Sequence, residues 1–127
     1  MVEPTTILVI EDEERIRTVL KYNLELDGFE VYLAEDGQAG LKLANEKGPD
    51  LILLDWMMPG LDGLQVLSEL KNDERTKGIP VFMLTAKSMM AEVGRALYEG
   101  ADDYITKPFD VVELGQILKD KLERTRA

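Results

Sequence analysis

Four consecutive acids, Glu11-Asp12-Glu13-Glu14, follow directly on the apolar run Ile7-Leu8-Val9-Ile10. Another carboxylate, Asp55, ends the run Leu51-Ile52-Leu53-Leu54. Thr85 follows Val81-Phe82-Met83-Leu84, and Lys107 follows Tyr104-Ile105-Thr106. Each polar group stands at the carboxyl end of a segment that reads as a strand, where open parallel α/β sheets bind their ligands. Carboxylates from two strands thereby converge with one hydroxyl and one ammonium. Acids at the start of a helix suit its macrodipole, which accounts for Glu13 and Glu14 but not for Asp55. Crowded carboxylates repel, and their pKa values rise unless a cation neutralises them. An all-oxygen site with few protein ligands and open water positions suits Mg²⁺ best and Ca²⁺ less well.

Composition removes other chemistries. The chain has no cysteine and no histidine, so disulfides, thiolate or imidazole zinc sites and Ser-His or Cys-His nucleophiles are excluded. Asp and Glu number 25 against 15 Lys and Arg, a net charge of −10. That balance repels nucleic acid phosphates and anionic membranes, so neither is expected as a direct partner. No apolar run approaches the ~20 residues of a membrane span. Met1-Val2-Glu3-Pro4 does not open a signal peptide, so the expected location is cytoplasmic. The 127 residues suit one domain, 1–127, and no interdomain linker is read in them.

The elements that must position these groups alternate. Ile7 to Ile10, Leu51 to Leu54 and Pro80 to Leu84 read as strands buried on both faces, Phe29 to Leu33 as a strand with one more polar side, and Tyr104 to Thr106 as a short strand. Helices are expected over Glu14 to Asp27, from Asp36 to near Gly48-Pro49, over Leu64 to Asn72, over Met89 to Glu99 and over Val111 to Arg124. Trp56 to Gly63 is a loop in which Trp56 reads as partly exposed, and Gly60 and Gly63 as residues allowing positive φ. Five strand-helix alternations with short connections require a parallel sheet with helices on both faces.

Ile7 to Glu13, Asp55-Trp56-Met57-Met58-Pro59-Gly60-Leu61-Asp62-Gly63, Met83-Leu84-Thr85-Ala86 and Gly100 to Phe109 together resemble response-regulator receiver domains, the CheY-like phosphoacceptor modules of bacterial two-component signalling. The stretch Gly100 to Phe109 is most similar to receivers of the winged-helix (OmpR/PhoB-type) subfamily. The resemblance spans about Thr6 to Leu122 and implies a flavodoxin-like fold, five parallel strands in the order 2-1-3-4-5 with five helices. It implies that Asp55 accepts a phosphoryl group from a phosphohistidine of a sensor kinase or histidine phosphotransfer protein. It makes Asp12, Asp55 and the Met57 carbonyl ligands of Mg²⁺, with Glu11 acting through water. Thr85 and Lys107 would hold phosphoryl oxygens, Lys107 also contacting Asp55, and a cis peptide would join Lys107 to Pro108. Tyr104 would be a rotamer switch coupled to Thr85. Taken alone, Thr85 reads as an ordinary strand residue, and Tyr104 reads equally as core.

In such receivers the residues two after the aspartate and two after the threonine govern how water reaches the phosphoryl group. Here these are Met57 and Lys87, neither of which orients water, so a long-lived phosphoryl group is expected. Output would pass through the face made by the fourth helix, fifth strand and fifth helix, to an effector or a second copy. The usual dimer acids are present as Asp102, Asp103 and Glu113, but two usually basic positions are Val93 and Ile117. With Leu97 and Tyr104 these form an expected apolar patch, unless Val93 and Ile117 face the core. Two other classes compete. A flavodoxin-type FMN carrier needs a phosphate cradle where this chain has four acids. A phosphoaspartyl phosphatase places a second aspartate where this chain has Met57.

Overall fold

The computed structural model describes residues 3–126, apart from the side chains of Lys87 and Arg126. Among these residues five strands, β1 (Thr6–Ile10), β2 (Glu30–Ala34), β3 (Leu51–Asp55), β4 (Val81–Ala86) and β5 (Asp103–Lys107), alternate with five α-helices. The helices are α1 (Glu14–Leu26), α2 (Gly37–Lys47), α3 (Gly63–Asn72), α4 (Val93–Tyr98) and α5 (Val111–Arg126). All strand pairs are parallel, in the order β2-β1-β3-β4-β5 that the resemblance implies.

Side chains alternate across a strand, so each central strand feeds two cores. Ile7, Val9, Leu51, Leu53, Phe82 and Leu84 face Leu20 and Leu24 of α1 and Leu114 and Leu118 of α5. Leu8, Ile10, Ile52, Leu54, Val81 and Met83 face Ala44 of α2, Val66, Leu67 and Leu70 of α3, and Ala96 of α4. Coverage of both faces is why these runs carry no polar residue until their carboxyl ends. From β1 the chain adds β2 on one side and β3 on the other, so the order of strand addition reverses between β1 and β3 and opens a crevice above those two parallel strand ends.

Several local expectations shift. Asp36 caps α2 through a bond from Ala39 N, and Asp62 caps α3 in a reciprocal box with Gln65. The single helix expected over Met89 to Glu99 is instead a 3₁₀ turn over Lys87–Glu92 followed by the short α4. Neither Ala86 nor Glu92 supplies a side-chain cap, so no long α-helix is nucleated there. β4 runs past Leu84 to include Thr85 and Ala86, paired with Thr106 and Lys107. Trp56 is buried, not partly exposed, because it continues the face of β3 that carries Leu54. Gly60 has positive φ, but Gly63 does not. Gly63 opens α3, where a Cβ would lie 2.7 Å from both the Asp55 carbonyl oxygen and Trp56 Cα. Val93 is buried in the described structure, while Ile117 is half-buried and Leu97 exposed, so the expected apolar patch loses Val93.

Candidate functional site

The structure brings the acids of β1 and β3 together with the lysine of β5. Glu11 lies one residue past β1, and its N–H still donates to Ala34 O at 3.1 Å. Its side chain is fully buried, and Asp55 is 5% exposed. Lys107 spans the width of β4 to place Nζ 2.9 Å from Glu11 Oε2 and 3.1 Å from Asp55 Oδ1. Glu11 Oε1 also accepts from Glu13 N at 3.2 Å. Thr85 is buried, and its hydroxyl donates to the Ala86 carbonyl at 3.3 Å. The Lys107-Pro108 peptide is cis. Met57 is exposed beside Asp55, and its carbonyl accepts no hydrogen bond among the described residues. Tyr104 is half-buried against the α2-α3-α4 core. The side chain of Lys87 lies outside the described residues.

The pairing of Glu11 with Lys107 was not legible in the sequence, since nothing in the spacing of two residues 96 apart reports it. Arg17 was also missed. Its Nη1 donates to the backbone carbonyl of Glu11 at 2.7 Å. One helical turn into α1 it reads as an ordinary surface arginine.

Burial dominates the electrostatics. It pushes Glu11 up to about 7, with the Asp55 charge adding to the rise and Lys107 opposing it. Burial also raises Asp55, against the pull of Lys107 and with repulsion from Asp12. Burial alone would lower Lys107, but its bond to Glu11 and the charge of Asp55 outweigh it and hold the ammonium above its ordinary value. Lys107 is therefore a permanent cation between two carboxylates that burial discourages from ionising.

Ligand oxygens of Glu11, Asp12 and Asp55 lie within 4.8 Å of one another. Three carboxylates against one ammonium leave an excess of negative charge around the buried Glu11 and Asp55. A metal ion fits this donor set. It is hard, all-oxygen and anionic, with the half-exposed Asp12 and the free Met57 carbonyl toward solvent. Acids from β1 crowd the place where a flavin phosphate would sit.

The family model for the response regulator receiver domain matches residues 7–119. The chain is 48% identical over 118 residues to the phosphate regulon transcriptional regulatory protein PhoB of Escherichia coli, across 93% of this chain and 52% of that protein. It is 45% identical to the alkaline phosphatase synthesis transcriptional regulatory protein PhoP of Bacillus subtilis, across 94% of this chain and 49% of that protein. The chain thus spans about half the length of these curated relatives. Among solved structures, a receiver domain of a Francisella response regulator superposes with a TM-score of 0.84 at 35% identity, covering 95% of this chain and 98% of that one. A putative response regulator from Chloroflexus aurantiacus gives 0.87 at 31% identity, covering 95% and 99%. With its acidic crevice at the switch point of a five-stranded parallel sheet, the chain belongs to the response regulator receiver family, signalling modules of two-component systems rather than turnover enzymes.

Proposed function

We propose that Asp55 is the phosphoacceptor of this receiver and that Mg²⁺ occupies the triad during transfer. The observation that carries the reading is Lys107 Nζ held 3.1 Å from Asp55 Oδ1 within a three-carboxylate cluster. An Asp55 carboxylate oxygen attacks phosphorus of a phosphohistidine, the P–N bond breaks, and an acyl phosphate forms. Lys107 supplies a compact cation to the phosphoryl oxygens, and the Thr85 hydroxyl, at the end of β4, supplies a donor. Asp12, Asp55 and the Met57 carbonyl would hold Mg²⁺, which offsets the charge between two anionic reactants. A groove lined by Ile16, Val19, Pro108 and Phe109 adjoins Lys107 and gives a phosphodonor protein an approach to the site.

The test is intact-mass analysis after incubation with acetyl phosphate. Mg²⁺ is expected to permit addition of one phosphoryl group, and EDTA to block it. In parallel, Mg²⁺ is expected to change the fluorescence of Trp56, which directly follows Asp55. Asp12→Ala is expected to weaken that response at least tenfold, since few protein ligands remain to replace water. An unchanged titration removes Asp12 from the metal site.

Lifetime follows from the neighbourhood of Asp55. Met57 is 65% exposed and carries no group that orients an attacking water. Slow self-dephosphorylation is expected, and Met57→Asn should accelerate decay severalfold when the phosphorylated protein is followed by mass. No acceleration would place the control of water elsewhere.

The named transcriptional roles of the relatives support a transcriptional output through an effector. Asp102 is held within the chain, accepting from Lys71 Nζ at 3.1 Å and Val81 N at 2.8 Å. Asp103 accepts from Lys121 Nζ at 3.0 Å and Tyr104 N at 2.8 Å. A homodimer through α4, β5 and α5 must exchange these internal bonds, so docking of an effector partner is favoured on this face.

A further inference from the structure

We infer that Arg17 is a positioning residue for the metal site, acting through the Glu11-Asp12 peptide; the inference rests on the reading of Glu11, Asp12 and Asp55 as that site. β1 ends at Ile10 and α1 begins at Glu14, so the intervening residues belong to no helix or strand. The Asp12 side chain makes no hydrogen bond to the described residues, unlike those of Glu11 and Asp55, which Lys107 holds. The only part of Asp12 that the chain holds is its backbone, which sets the point from which the carboxylate can reach the cluster. The peptide plane leading into Asp12 has one tie from a side chain, the 2.7 Å bond from Arg17 Nη1 to the Glu11 carbonyl. On the N-terminal side of that plane, Glu11 N is fixed to Ala34 O on β2. With both bonds in place the peptide is pinned between β2 and α1, and Asp12 projects from a fixed base. Arg17 itself makes no ion pair among the described residues. Its charge is thus not spent on a surface carboxylate.

The sign of the effect separates this role from two others. Charge alone would make Arg17 repel a nearby dication, so its removal would tighten Mg²⁺ binding. A purely structural role would lower stability and leave metal affinity unchanged. Positioning predicts that affinity falls. Loss of a group that orients a metal ligand costs 10–100-fold in affinity as a rule, and about tenfold is expected here.

The experiment is Mg²⁺ titration by Trp56 fluorescence on wild type, Arg17→Met, Arg17→Lys and Asp12→Ala, with a thermal melt of each without metal. Arg17→Met keeps much of the aliphatic stem and removes the donor, so its Kd should rise about tenfold. Arg17→Lys keeps a donor and the charge and should recover part of the loss. Unchanged or tighter binding by Arg17→Met overturns the inference, as does a Lys variant no better than Met. A wild type that shows no Mg²⁺ response, or an Asp12→Ala variant that titrates like wild type, instead overturns the metal reading beneath it.

Discussion

Asp55→Asn is expected to accept no phosphoryl group from acetyl phosphate or a phosphohistidine donor, while wild type accepts one. An amide oxygen is a far weaker nucleophile than a carboxylate, and removal of a covalent nucleophile commonly costs orders of magnitude in rate. The neighbouring acids do not substitute. Glu11 is fully buried, and its carboxylate is bonded to Lys107 and to Glu13 N. Asp12 is more open but lacks the 3.1 Å approach of Lys107 that Asp55 has. Loss of activity will not reflect unfolding. Burial raises the Asp55 pKa, so its charged form is disfavoured in the fold, and a neutral amide of the same shape removes repulsion with Asp12. The variant should melt at or above the wild-type temperature without metal. Intact mass reads the first outcome and a thermal melt the second. Full phosphorylation of Asp55→Asn would move the acceptor to another residue.

Gly63→Ala is expected to destabilise the protein by about 1–3 kcal/mol, the usual cost of forcing a methyl group into a well-packed region. Helix propensity argues the other way, since alanine is favoured over glycine by about 1 kcal/mol within a helix. Packing wins because the atoms in the way are backbone. The new Cβ would lie 2.7 Å from Asp55 O and Trp56 Cα and 3.0 Å from Trp56 O. These atoms belong to the last residue of β3 and to Trp56 directly after it, whose N–H is bonded to Leu84 O and whose carbonyl accepts from Gly63 N. The strand end cannot yield without displacing Asp55, so, on the proposed role of Asp55, phosphorylation should slow as stability falls. Gly94 is the control. It lies in α4 with no atom within 4 Å of a built Cβ, so Gly94→Ala should gain roughly 0.5–1 kcal/mol. Chemical denaturation of the two variants checks both signs. A Gly63→Ala protein as stable as wild type would show that the junction of β3 with α3 relaxes at little cost.

Much of this molecule is written in local sequence. The runs Ile7 to Ile10 and Leu51 to Leu54 read as strands covered on both faces, because they are apolar throughout, too short for a helix and ended at once by an acid. Gly28 and Gly48 mark helix ends with positive φ, and Asp36 marks a helix start. Parallel topology then places Glu11, Asp55, Thr85 and Lys107 at one edge, whatever their separation in the chain. The site residues were therefore nameable from types and spacing, together with the resemblance those motifs carry.

Tertiary structure decided what local patterns cannot encode. Trp56 reads as a loop residue, yet it is buried because it prolongs the inward face of β3. Val93 reads as part of an apolar patch unless it faces the core, which helical periodicity does not decide, and packing placed it inside. Asp102 and Asp103 read as acids free to pair with a second copy, but Lys71 and Lys121 reach them from α3 and α5. Lys107 could be assigned to Asp55, but its shorter bond to Glu11 depends on the order of β1, β3, β4 and β5 in the sheet. Sequence determines which elements form because propensity, capping and periodicity act over a few residues. Which charges meet is set by distances across the sheet, and those exist only once the strands have paired.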